Sequence, residues 1–232
     1  MFSRILTSAL FAGAAAGLIA ALLQLYFVQP VLLHAELYEG GDLVHFGADP
    51  VTAQPDLPGM FADPVRDGLS IIFTMLAYTG YALVLVALVS MAERKGHEFN
   101  ARTGLLWGLA GFVAFQLAPG VSLAPEVPGV AAADVGARQI WWTATVATAG
   151  VAMWLIAFGG KLVSYLVAAA LLLVPHVIGA PEPDSFTGPV PTEIGALFAA
   201  RALGIGMAAW VLLGCFAGYF WQMEGKRATA TA

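Results

Sequence analysis

ILTSALFAGAAAGLIAALLQLYFV, residues Ile5–Val28, runs for 24 positions without a charged side chain. An α-helix needs about 20 such residues to cross a hydrocarbon core of about 30 Å at 1.5 Å per residue. The run is about twice the length of a signal-peptide core and lacks a small-x-small cleavage site before a polar start, so it reads as an uncleaved first membrane helix. Working outward, five further apolar stretches follow, at about Leu69–Met91, Thr103–Ala118, Ile140–Phe158, Leu162–Ile178 and Ala196–Trp221. The expected fold is therefore all-α: a polytopic bundle of about six transmembrane helices in a single integral membrane domain over residues 1–232. The count falls to five if Ile140–Ile178, broken only by Gly159-Gly160-Lys161, is one interrupted element.

Composition agrees. With 59% hydrophobic and 11% charged residues and a mean hydropathy of +0.81, the chain has too little polar surface for a soluble globule. With a net charge of −5 and no basic run, nothing points to nucleic acid as a partner. A single cysteine, Cys215, rules out an intrachain disulfide or a cysteine-rich metal centre.

Charge also sets orientation. With a cytoplasmic N-terminus, six crossings put Arg4, Arg94, Lys95, Arg102, Lys161, Lys226 and Arg227 inside and Arg66, Arg138 and Arg201 outside, as the positive-inside rule requires. The acids fall the other way. Glu36, Glu39, Asp42, Asp49, Asp56, Asp63, Asp67, Glu126, Asp134, Glu182, Asp184 and Glu193 lie outside, a field that raises the local cation concentration or simply solvates the loops. An uncleaved anchor of this kind fits a bacterial inner membrane.

The outer connections are Pro-rich, and the longest, residues 40–68, reads as a cap. Before it, Val31–Glu39 holds good helix formers and extends the first helix outward, with Pro30 a kink rather than a stop. Gly13/Gly17, Gly104/Gly108 and Gly214/Gly218 recur at four-residue spacing, the small-residue pattern that lets membrane helices approach closely.

Three outward-running helices end at a proline, at Pro30, Pro119 and Pro175, and their outer ends are expected to converge near His34, Glu36, Glu39 and His176. Imidazole with carboxylate suits divalent first-row metals such as Co²⁺, Ni²⁺ or Zn²⁺. Glu36 and Glu39 share a helical face, whereas His34 faces with Tyr38, so a metal site needs ligands from another segment. Each of these side chains has a plainer role as a solvated or interfacial group. Arg138-Gln139-Ile140-Trp141-Trp142 opens the fourth helix. Its tryptophans match an interfacial belt, and Arg138 calls for a carboxylate partner that ties two loops together. No P-loop, H-E-x-x-H or G-x-S-x-G is present, which points away from an enzyme. The helix interiors hold almost no ionisable group, so a transport path would use Gln24, Gln116, hydroxyls and carbonyls.

Taken in order, the Arg4-led first helix, Ala35-Glu36-Leu37-Tyr38-Glu39, Arg138-Gln139 with Trp141-Trp142, and Pro175-His176-Val177-Ile178-Gly179-Ala180-Pro181 make the chain similar to the CbtA family of cobalt transporter subunits. The resemblance spans nearly the whole chain but does not extend to His34. It implies five helices, uptake of Co²⁺ for cobalamin synthesis, and a small single-helix partner of the CbtB type with a histidine-bearing tail. On the importer reading, the acidic outer face gathers the metal, which loses water to Glu36, Glu39 and His176 and passes between the helices, with no permanently bound cofactor. A contrasting reading is a non-transporting scaffold whose Gly-rich helices and outer loops bind another protein.

Overall fold

A membrane-spanning chain must satisfy its backbone internally, and here it does so by helix alone. The computed structural model describes residues 2–45 and 57–230. It is 78% helix, with no strand among the described residues. The helices are α1 (Phe2–Glu39), α2 (Pro64–Glu93), α3 (Ala101–Ser122), α4 (Val135–Phe158), α5 (Leu162–Ile178) and α6 (Thr192–Ala230). All but α5 are long and apolar enough to cross a membrane. At 17 residues, α5 extends about 26 Å at 1.5 Å per residue. The middle of the 40–68 loop, with Asp49 and Asp56, lies outside the described residues.

Helix starts lie upstream of the apolar runs because polar caps set them. Asp63 accepts from the Val65 and Arg66 amides ahead of Pro64, and Asp134 accepts from Ala137 N. Asn100 and Thr103 exchange side-chain and backbone bonds of 3.0 Å each way to start α3. Hydropathy marks the stretch in lipid, and capping marks the helix.

None of the three prolines stops its helix. α1 widens into a π-helical turn at Gln24–Val28 and α3 does so at Val113–Leu117, each just ahead of its proline. Proline lacks an N–H and its ring collides with the preceding turn. A π-turn supplies the extra residue that lets the ring clear, and the helix continues. Pro175 likewise sits inside α5. Gly160, at φ +64°, makes the tight reversal that separates α4 from α5, which pack against each other.

By packing, the chain forms two compact units. The first comprises Met1–Tyr26, Met60–Phe112 and Gly204–Ala232. Here small residues bring backbones together. Ala9, Ala12, Ala16 and Ala20 are fully buried, and a Cβ on Gly17 would lie 2.6 Å from Met75 Cα. Gly104 and Gly108 meet the backbone of Gly214 and Trp210, and Gly218 meets that of Asn100, so all three expected glycine pairs are helix contacts. Tyr81 stacks on Trp210 at 5.0 Å. Arg4 lies 3.9 Å over the Trp221 ring, donates to Trp221 O and faces Glu93 at 3.6 Å, while Trp221 Nε1 donates to Glu93. This cluster joins the start of α1, the end of α2 and the late part of α6.

The second unit comprises Phe27–Gly59 and Val113–Leu203. Ala35, Val127 and Val190 form one core, with Tyr38, Val130, Ile194 and Phe198 around them. Ala114, Ala118 and Ala149 form another, with Phe115 and Leu172. The loops that follow α3 and α5 join through Ala131 N to Thr187 O at 2.8 Å.

Candidate functional site

The α1 extension carries Ala35-Glu36-Leu37-Tyr38-Glu39, held because Ala35 is fully buried against Val127 and Val190. Glu36 and Glu39 remain exposed. The Glu39 stem lies against Gly129, whose φ of +80° and lack of a side chain allow the approach. His34 packs on Tyr38 at 5.6 Å, one helical turn on.

His176 is turned elsewhere. Its Nδ1 hydrogen-bonds Ser122 Oγ at 2.7 Å and its ring packs edgewise on Trp141 at 5.9 Å. Trp141 Nε1 donates to Pro175 O at 3.1 Å. That bond also uses a late α5 carbonyl near the helix end, where acceptors outnumber donors. Two motifs far apart in sequence, the Trp pair after Arg138 and Pro175-His176, therefore meet through one tryptophan. Gln139 is exposed beside them.

Arg138 finds its carboxylate. Its Nη2 lies 2.7 Å from Glu126 Oε2, tying the loop after α3 to the start of α4. Beside this pair, a cleft of about 270 Å³ is lined by Phe115, Gln116, Pro119, Glu126, Arg138 and Trp142, among others. Gln116 Oε1 is buried there without a hydrogen-bond partner.

Sequence reasoning expected His34, Glu36, Glu39 and His176 near one another, and the structure does not gather them into a ligand cage. Among the described residues, no group of three or more His, Cys, Asp or Glu side chains could hold a metal ion. The reason is local: His34 is committed to Tyr38 and His176 to Ser122 and Trp141. Other acids have structural work. Asp63 and Asp134 cap helices, and Asp67, fully buried, accepts from Phe61 N at 2.8 Å and from Arg66 Nε at 2.9 Å. In the sequence Glu126 stands out only as one of the outer acids, and Ser122 not at all. The demand of Arg138 for a carboxylate was the available signal for Glu126, whereas nothing in the sequence pairs Ser122 with His176.

No curated protein and no solved structure matches the chain. The family model described as "Probable cobalt transporter subunit (CbtA)" matches residues 2–222. With nearly its whole length matched, the chain belongs to the CbtA family.

Proposed function

We propose that the chain is the membrane subunit of a cobalt importer of a bacterial inner membrane, supplying cobalamin synthesis together with a small single-helix, histidine-bearing partner of the CbtB type. Family membership carries the choice of cobalt. Co²⁺ is cargo, no cofactor is resident, and the chain is not an enzyme. The N-terminus is cytoplasmic, which places Arg4 and Glu93 on the inner side and the Glu36, Glu39 and His176 region on the outer side. Exposed Glu36 and Glu39 gather the hydrated ion, and His176 takes it next. With Nδ1 on Ser122, the ring nitrogen for metal is Nε2. Arg138, Gln139, Tyr38 and Trp141 hold the outer segments in register around this path.

The scaffold reading relied on Gly-rich faces being open to another protein. Gly13, Gly17, Gly104, Gly108, Gly214 and Gly218 are instead occupied by helices of the same chain, which favours the importer.

The test is radioactive cobalt uptake in cells expressing the chain with and without the small partner, beside the double variant Glu39→Ala, His176→Ala. Uptake that needs both residues is expected. Uptake equal to that of empty cells in every combination would return the scaffold reading.

A further inference from the structure

We propose that Ser122 is a positioning residue for cation uptake: its hydroxyl holds the His176 ring with Nε2 turned to the incoming ion and, being a neutral two-way partner, keeps that nitrogen a ligand that lets go. This rests on the reading of His176 as a transit ligand and adds the group that sets its orientation and strength.

Three contacts leave the His176 ring one open edge. Nδ1 lies 2.7 Å from Ser122 Oγ, the Trp141 ring packs edgewise at 5.9 Å, and Trp141 Nε1 donates to Pro175 O, which pins the backbone beside the histidine. Trp141 is only 8% exposed and Pro175 is buried, so this support is held by packing. No described residue bonds Nε2, and Nε2 is not among the buried polar atoms that lack a partner, so it opens to solvent. A ring held at Nδ1 with Nε2 open is oriented before an ion arrives. Ser122 is the last residue of α3 and His176 lies in the last turn of α5, so the same bond ties two helix ends together.

The kind of partner decides how tightly the ion is held. A metal-binding histidine commonly gives its second N–H to a carboxylate or a main-chain carbonyl, fixed acceptors that raise the basicity of the ligating nitrogen. A serine hydroxyl both donates and accepts. While Nε2 carries the ring hydrogen, Ser122 donates to Nδ1. When a cation takes the Nε2 lone pair, the Nε2 proton leaves to water, Nδ1 takes one from water, and Ser122 turns to accept it; the ring stays neutral throughout. A neutral acceptor lends the imidazole less electron density than a carboxylate does. The result is a ligand favourable enough for an ion to enter and weak enough for it to leave, the balance that conduction needs.

The experiment is the concentration dependence of radioactive cobalt uptake in cells expressing the full chain with the small partner, normalised to the amount of chain in the membrane. It compares wild type with Ser122→Ala, Ser122→Thr, Ser122→Asp and His176→Ala. Ser122→Ala is expected to raise KM roughly 10–100-fold, the usual cost of losing a supporting partner, with the maximal rate little changed. Ser122→Thr keeps the hydroxyl and stays near wild type. Ser122→Asp lowers KM and also lowers the maximal rate, because release slows; damaged packing would not tighten binding. In a His176→Ala background, Ser122→Asp should change nothing, which separates the hydrogen bond from an added surface charge. An unchanged KM in Ser122→Ala, a raised KM in Ser122→Asp, or an effect of Ser122→Asp that persists without His176 overturns the role of Ser122 alone. Uptake that ignores His176→Ala, or a wild-type chain that carries no cobalt, overturns the ligand reading with it.

Discussion

Where α3 meets α6, Gly104 and Gly108 lie against the backbone of Gly214 and Trp210. Where α4 meets α5, an indole crosses the gap and hydrogen-bonds a carbonyl. The first contact has no side chain to rearrange, so it fixes helix spacing by backbone geometry. The second is made by a tryptophan, a proline-bearing turn and a histidine, and it sits in the unit that also holds the unpaired Gln116 oxygen and the Arg138–Glu126 pair. Lipid offers no hydrophobic drive between helices, so close packing is the cheaper way to build a stable frame. Polar groups in lipid are costly unless paired, and in the first unit Arg4, Glu93 and Trp221 satisfy one another.

This comparison breaks if the aromatic contact proves dispensable. Trp141→Ala removes a buried indole and its bond to Pro175 O, and should cost about 4 kcal/mol, read as a fall in the thermal midpoint of the purified protein. Trp141→Phe keeps the ring bulk and should cost about 1 kcal/mol for the lost hydrogen bond. Equal losses in the two would mean that shape, not the indole N–H, joins α4 to α5. On the glycine side, one methyl is enough. Gly104→Ala places a Cβ into the Gly214 carbonyl, and backbone cannot yield as a side-chain tip does, so a loss of about 3 kcal/mol is expected in the same assay.

At the far end of the first unit, Arg4→Met sharpens the comparison by removing the cation–π contact and the 3.6 Å ion pair with Glu93 while keeping most of the apolar stem. Both charges are partly exposed, so the expected loss is about 1 kcal/mol or less. A larger loss would show that this polar cluster, and not the glycine seam alone, sets the spacing of α1, α2 and α6.

Much of the frame was legible because lipid imposes a simple rule: long apolar runs are helices, and glycines four apart are contacts. Helix ends were less so, since Asp63, Asp134 and the Asn100–Thr103 pair set them beyond the apolar runs. The prolines misled in one respect. Read as stops at Pro119 and Pro175, they are absorbed, by a π-turn in α3 and within the last turn of α5. The ion pair of Arg138 was legible as a need but not as a partner. The site was least legible: His34 and His176 carry the right chemistry, yet their neighbours, Tyr38 by helical phase and Ser122 by tertiary contact, decide what they do.

Gly80 makes the smallest and sharpest test of the glycine argument. It lies within α2, as Gly104 lies within α3, but a Cβ built on it meets no heavy atom within 4 Å. If intolerance comes from the neighbouring backbone, Gly80→Ala should be free of cost. It should even stabilise the protein by about 0.5 kcal/mol, because alanine restricts the unfolded chain and favours helix. The sign is what matters. A gain at Gly80 beside a loss at Gly104 assigns the whole difference to the α3–α6 contact, since both substitutions add the same methyl to a helical residue. Losses at both positions would mean that glycine serves these helices through their own flexibility, and the close-packed seam would no longer explain why the first unit is built from small residues.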